Sequence, residues 1–309
     1  MRIVSLLPSA TEIVFALGLG DDLVGRSHAC DYPPEARAIP VMTRTILSSA
    51  PSSRAIDARI RRARQAGRPP CELDADALRA AEPDLVLTGG EGATCGIGRQ
   101  AALQALGEAG RRTDVVALAP SSIEGILNTI TTVGAMTSAE DEAIGLVELL
   151  RERLGAIEAR VARRRSEGVP ARRVVTLEWL FPLFGSGRWI PEQVRRAGGW
   201  DVLGREGERP GRTTWRAVLE IDPEQILLVP HGFDARRTAA EWERVARPVG
   251  WHDLRAVRHG EVFALDANAY FTRPGPRVVE GIATLAELFD PRGFVDQAPP
   301  DAWIPIADP

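Results

Sequence analysis

Between Ser138 and Gly168 the residues Ile144, Val147, Leu150, Leu154, Ile157 and Val161 recur at spacings of three and four, with arginine and glutamate filling the other faces. That spacing lines the apolar side chains along one stripe of an α-helix. Roughly 30 residues rising about 1.5 Å each make a rod of about 45 Å, as long as a whole domain. A rod of that length is expected to connect two lobes, so the chain on either side of it is read separately.

On the N-terminal side, Ile3 to Leu7 is a short apolar run, as in a buried parallel strand. Ser9 and Glu12 have the spacing of a capping box for the helix that follows, which carries Ile13, Val14 and Leu17. Strands are expected at Leu23–Gly25, Asp84–Thr88 and Asp114–Leu118, and helices at Asp74–Ala81 and Gln100–Ala109. On the C-terminal side, strands are expected at Arg173–Leu177, Gln225–Val229 and Val262–Leu265. Helices there are expected at Pro191–Ala197, Trp215–Glu220, Ala235–Arg247 and Pro276–Phe289. This alternation implies an α/β chain of two Rossmann-like lobes with parallel sheets, joined by one long backbone helix. The lobes are assigned to 1–137 and 169–290, the linking helix to 138–168 and an irregular, proline-rich tail to 291–309.

Composition narrows the function by exclusion. A net charge of −4 gives no reason to invoke nucleic acid or an anionic membrane as partner. All 38 basic residues are arginine, which excludes a Schiff-base or P-loop lysine. The apolar run after Met1 is cut by Pro8, too short for a secretory signal or a membrane span. Read from that start the protein is cytoplasmic; a native start further upstream would make it periplasmic. No Ser/His/Asp constellation or Walker motif is readable, so the sequence lends an enzyme no specific support.

Four segments carry a resemblance: Ser5–Glu12, Cys30–Glu35, Phe184–Glu192 and Asn268–Arg277. In content and order they resemble the periplasmic vitamin B12-binding proteins and their cobalamin-binding relatives. These belong to the helical-backbone class of solute-binding proteins, which also includes haem, ferric-siderophore and metal receptors. The resemblance implies non-enzymatic binding of cobalamin or a related corrinoid in the interlobe cleft. A metal- or haem-binding protein, or an enzyme acting on a bound corrinoid, stays as the alternative.

Ligands of open parallel sheets sit beyond the carboxyl ends of the strands. The strand-end loops nominate Pro8, Ser9, Ala10, Asp31, Tyr32, Gly90 and Glu91 on the N-terminal side. On the C-terminal side they nominate Glu178, Trp179, Phe181, Trp189, His231, Tyr270 and Phe271, and the resemblance adds Arg273. The aromatics supply broad apolar area for a flat macrocycle. Arg273 matches a family arginine at the ligand. Trp200, Trp242, Trp251 and Trp303 are read as packing residues. Cys30, Cys71, Cys95 and His28 form a candidate soft-metal set.

The resemblance also implies a glutamate on each lobe that pairs with arginines of a membrane subunit. Those positions fall on Asp76 and Arg216, and a slip of four residues would restore Glu220. The reversed charge at Arg216 argues against an ABC transporter permease as partner and for a cytoplasmic carrier or sensor.

Overall fold

The computed structural model describes residues 1–47, 52–90 and 97–307. The chain forms two compact units. The first comprises Met1–Pro51, Ala55–Pro120 and Gly125–Leu149; the second comprises Ser52–Arg54, Ser121–Glu124 and Leu150–Pro309.

The first half of the chain runs through β1 (Ile3–Ser5), α1 (Pro8–Ala16), β2 (Leu23–Arg26), β3 (Thr43–Thr45), α2 (Ser53–Gln65) and β4 (Cys71–Leu73). It continues through α3 (Ala75–Ala80), β5 (Leu85–Gly89), α4 (Arg99–Leu106), β6 (Asp114–Leu118), α5 (Ile123–Thr137) and α6 (Glu140–Ser166). The first unit holds a parallel sheet ordered β2-β1-β5-β6, and a separate antiparallel pair of β3 and β4. The central strands β1 and β5 are buried along their whole length. Covering a parallel strand on both faces demands such apolar runs.

Helix α1 starts two residues earlier than the capping-box reading allows. Its N-cap is Leu7, Pro8 occupies the first turn, and no side chain caps it. Proline is pre-set for that position and lacks the N–H a cap would satisfy. Ser9 therefore lies inside the helix. Helix α3 is capped by Asp74, whose carboxylate accepts from Ala77 N–H at 3.0 Å.

Helices α2 and α5 and the β3–β4 pair were not expected from sequence. Helix α5 carries Thr129, Thr131, Thr132 and Thr137, residues that weaken a helical reading. Hydroxyls of Thr131 and Thr132 donate back to the Asn128 carbonyl at 2.9 and 2.8 Å, so they are satisfied within the helix.

The long helix is present as α6, 27 residues with three acidic residues in its first turn and three arginines in its last. That charge order complements the helix dipole. Its buried stripe is Ala143, Val147, Leu150, Leu154 and Ile157, while Ile144 is exposed. The boundary between the units falls within it, after Leu149.

The remaining elements are β7 (Arg172–Leu180), β8 (Leu183–Gly185), β9 (Gly187–Arg188), α7 (Ile190–Arg196), β10 (Gly199–Asp201), β11 (Arg205–Glu206) and α8 (Trp215–Ile221). They are followed by β12 (Gln225–Leu228), α9 (Ala235–Trp242), α10 (Arg255–Arg258), β13 (Val262–Leu265), α11 (Ala267–Tyr270), α12 (Val278–Phe289) and β14 (Trp303–Pro305). The second unit's main sheet is ordered β10-β7-β12-β13-β14, with β8 paired to β7. Strands β10, β7, β12 and β13 are parallel. Trp215, Trp242 and Trp251 pack ring against ring at 5.1–5.9 Å in its core.

Two sequence readings are corrected here. The tail is not irregular throughout, because β14 adds an antiparallel edge to β13 and Trp303 meets Phe263 edge-on at 5.4 Å. A proline is tolerated on an edge strand, where no further neighbour needs its missing N–H. Trp200, read as packing, is 57% exposed on the edge strand β10.

Candidate functional site

In the first unit the loops after β1 and β2 are tied together by polar contacts. Ser27 N–H donates to the Ser5 carbonyl at 2.9 Å, and the Thr11 hydroxyl donates to Ser5 Oγ at 2.8 Å. Arg26 is buried, and its guanidinium donates to the carbonyls of Ser27, Cys30, Arg37 and Ile39 at 3.0–3.1 Å. One arginine thus fixes the whole turn that presents Asp31 and Tyr32. Tyr32 is 43% exposed and Asp31 half-buried, whereas Ser9 and Ala10 are buried within α1. Pro8 and Gly90 are half-buried; Glu91 and Cys95 lie outside the described residues.

The soft-metal reading finds no support in this geometry. Cys30 is fully buried, with its sulfur 3.1 Å from Ser27 Oγ. Cys71 opens β4 opposite Thr45, whose hydroxyl lies 3.5 Å from the thiol. His28 Nδ1 is 2.7 Å from the Thr43 hydroxyl. Each group is engaged by a hydroxyl of its own neighbourhood, and no cluster of three potential ligands exists among the described residues.

The second unit holds the more unusual chemistry, at the carboxyl ends of β7, β12 and β13. Strand β7 runs on past its parallel neighbours and turns back as β8, carrying Trp179 and Phe181 at the bend. The Trp179 indole N–H donates to the Phe181 carbonyl at 2.8 Å, and its ring meets Phe233 edge-on at 5.7 Å. Phe181 is 38% exposed and Trp179 half-buried, so this bend offers an aromatic surface.

Glu178 is buried beside that surface. One carboxylate oxygen accepts from Gly187 N–H at 3.2 Å, and the side chain makes no other hydrogen bond among the described residues. Burial lifts its pKa to about 7, against the opposing charge of Arg188 and the Gly187 N–H, with Asp201 adding to the rise. Asp201 is also raised by burial, but it is well supplied with donors. The Ser186 hydroxyl donates to it at 2.5 Å, and the N–H groups of Thr176, Leu203 and Gly204 at 3.1–3.4 Å.

Gly187 is required at its place for a steric reason. A Cβ there would lie 2.5 Å from Pro210 N and 2.6 Å from the Glu208 carbonyl, both backbone atoms. The next residue, Arg188, is held at a φ of +52°, between the Glu208 carbonyl and Gly207 N–H. A left-handed arginine is a strained position that the flanking turn enforces.

His231 follows β12 on a turn anchored by its own N–H to the Glu178 carbonyl at 3.2 Å. The residue is exposed. Desolvation, and then the positive charges of Arg188 and Arg273, press its pKa down, so the imidazole is neutral at pH 7. Arg273 is 8% exposed, and Tyr270 is half-buried with the Arg277 guanidinium 5.7 Å from its ring centre. Asp266 caps α11 and is raised by burial; the Ala269 N–H opposes that, Asp234 adds to it, and Arg277 and Arg273 oppose it.

Two nominated aromatics are buried and joined to each other. Trp189 is buried and its indole N–H donates to the Phe271 carbonyl at 2.7 Å, and Phe271 is itself fully buried. They lock the start of α7 to the end of α11 because a buried indole must find an acceptor. The structure brings together Glu178, His231 and Arg273 with Arg188 and Asp201, which sequence reasoning did not select. The Gly-Ser-Gly-Arg turn was visible, but the strand-end burial that gives Arg188 a carboxylate neighbour was not.

These loops lie at the carboxyl ends of two parallel sheets, where open α/β folds place small ligands. The chain belongs to the periplasmic binding protein family, whose profile matches residues 3–269. It is 25% identical over 300 residues to YvrC of Bacillus subtilis (strain 168), an uncharacterized ABC transporter substrate-binding lipoprotein, covering 95% of this chain and 81% of that one. It is 23% identical over 289 residues to the vitamin B12-binding protein of Vibrio parahaemolyticus, covering 94% and 89%. Among solved structures, a periplasmic heme binding protein from Pseudomonas aeruginosa superposes with a TM-score of 0.73 at 20% identity, covering 99% and 98%. The periplasmic vitamin B12 binding protein BtuF of Vibrio cholerae gives 0.68 at 21%, covering 93% and 96%.

The expectation of a cytoplasmic protein is overturned by these relatives, which are lipoprotein or periplasmic substrate-binding proteins. That expectation rested on the short apolar run after Met1, which carries no information about what a longer precursor holds. The expectation of a carrier independent of any transporter loses its ground with it.

Proposed function

We propose that this chain is the substrate-binding component of an ABC transporter, acting outside the cytoplasmic membrane, and that its ligand is a corrinoid. The observation that carries the reading is the position of the two C-terminal family-like segments. Phe184–Glu192 and Asn268–Arg277 supply Arg188 and Arg273, whose charges both reach His231 at the strand ends. An aromatic bend at Trp179 and Phe181 lies on the strand that carries Glu178. Aromatic area with a few fixed polar groups suits a flat macrocycle with polar side arms. Relatives named vitamin B12-binding and cobalamin-binding proteins support the corrinoid over other members of the class.

The reversed charge at Arg216 is a weaker objection to a permease than the sequence suggested. Its guanidinium bonds Glu220 at 2.7 Å, and both Glu220 and Asp76 are exposed carboxylates.

A second reading, haem, is favoured by one observation. His231 presents a neutral imidazole without a hydrogen-bond partner for its ring among the described residues. A neutral imidazole is a ligand for iron. Titration of the purified chain with cyanocobalamin and, separately, hemin, followed by absorbance and tryptophan fluorescence, separates the two. Saturable quenching by cyanocobalamin alone is the expected result. Binding of hemin alone, with a band lost in His231→Ala, would establish the second reading, and binding of neither would refute both.

A further inference from the structure

We propose that Glu178 meets the ligand as a neutral carboxylic acid, donating a hydrogen bond to an acceptor oxygen on the ligand's rim, so that binding takes up one proton from solvent at this residue. The inference rests on the reading that a macrocycle with amide or carboxylate arms binds at these strand ends.

The geometry distinguishes Glu178 from the other buried carboxyl beside it. Asp201 has its oxygens occupied by Ser186, Thr176, Leu203 and Gly204. Glu178 has a single donor, Gly187 N–H, to one oxygen. The second oxygen has no partner among the described residues, and it is not one of the fully sealed, unsatisfied oxygens of the molecule. A carboxyl that is 8% exposed, with one oxygen still facing the surface, is placed to contact something that arrives there.

The charged groups around it decide the protonation state that survives closure of the surface. Arg188 on β9 favours the ionised form and Asp201 on β10 opposes it. His231, whose N–H holds the Glu178 carbonyl, adds no charge because it stays neutral under Arg188 and Arg273. In the free protein burial already outweighs Arg188 and leaves the acid poised near neutrality. A ligand covering the open oxygen removes the remaining water, which penalises the charged form further. A carbonyl or carboxylate oxygen opposite it accepts a hydrogen bond only from the protonated acid. Both effects act in one direction. An amide N–H or a cation opposite Glu178 would act in the other.

The test measures the dissociation constant of cyanocobalamin for wild type and Glu178→Gln between about pH 5.5 and pH 8.5, with proton uptake from calorimetry in two buffers of different ionisation enthalpy. Wild-type affinity is expected to hold at low pH and to fall above neutrality, approaching about tenfold per pH unit. Proton uptake should approach one per ligand at the alkaline end. Gln donates a similar hydrogen bond without titrating, so the variant should lose both the pH dependence and the proton uptake. Parallel pH profiles for the two proteins, or wild-type binding without proton uptake, would overturn the proposal and leave the binding reading intact. Absence of cyanocobalamin binding at every pH would instead sink the reading it rests on. Should the variant fail to fold, wild-type proton uptake decides alone.

Discussion

Glu178 carries a different charge free energy in the folded and unfolded chain, and that difference is measurable without any ligand. Its ordinary value is 4.5 and its folded value about 7. The native state therefore holds the proton more tightly than the unfolded state. Its stabilising contribution is complete below the unfolded value and is lost as pH rises through the folded one. The full difference is on the order of 3 kcal/mol. Glu178→Gln removes this term, so its stability relative to wild type should improve as pH is raised from about 4.5 to about 8. Urea midpoints of the two proteins across that range check it. A gap between them that does not change with pH would mean Glu178 is not shifted in the folded state. At this scale the sequence was only partly legible. It nominated Glu178, Trp179 and His231 from strand-end position and Arg273 from a resemblance to a family arginine. It gave no sign that the Trp189 indole is tied to the Phe271 carbonyl, because that partner lies 82 residues away in the chain.

The turn between β8 and α7 shows how an element fixes a site. Gly187 lies against the backbone of Glu208, Arg209 and Pro210, and its N–H is the one donor to Glu178. Gly187→Ala places a methyl group against atoms that cannot rotate away, so the turn must move. A loss of about 1–3 kcal/mol is expected, the range of overpacking in a tight interior. Gly211→Ala, where nothing lies within 4 Å of the added carbon, should stay within about 0.5 kcal/mol of wild type. Equal effects at the two positions, read from denaturant midpoints, would refute the steric argument. Elements with strong periodicity were legible from sequence: β6 and β13 have the expected limits, and α6 is one helix over Glu140–Ser166. Those missed had a physical disguise. Helix α5 is rich in threonine, α2 is dominated by arginine, and β14 ends in a proline amid a proline-rich tail.

For the whole molecule, fold was legible because four short segments and one long helical stripe all pointed to the same family. Location was not, since residence depends on what the folded chain carries only in a precursor or not at all. No helix among the described residues is long and apolar enough to cross a membrane. A transport role therefore makes a strong demand on place. A binding component raises uptake only if it meets the ligand before the permease does. The same chain confined to the cytoplasm meets it after transport and leaves the initial rate unchanged. Deleting its gene in the producing organism should lower the initial uptake of labelled cyanocobalamin at limiting concentration. The defect should shrink as external ligand is raised, because the permease then fills without help. The chain directed outside the membrane should restore uptake, and the same chain retained in the cytoplasm should not. Restoration by the cytoplasmic form, or normal uptake in the deletion strain at every concentration, would refute a transport role while leaving ligand binding itself untouched.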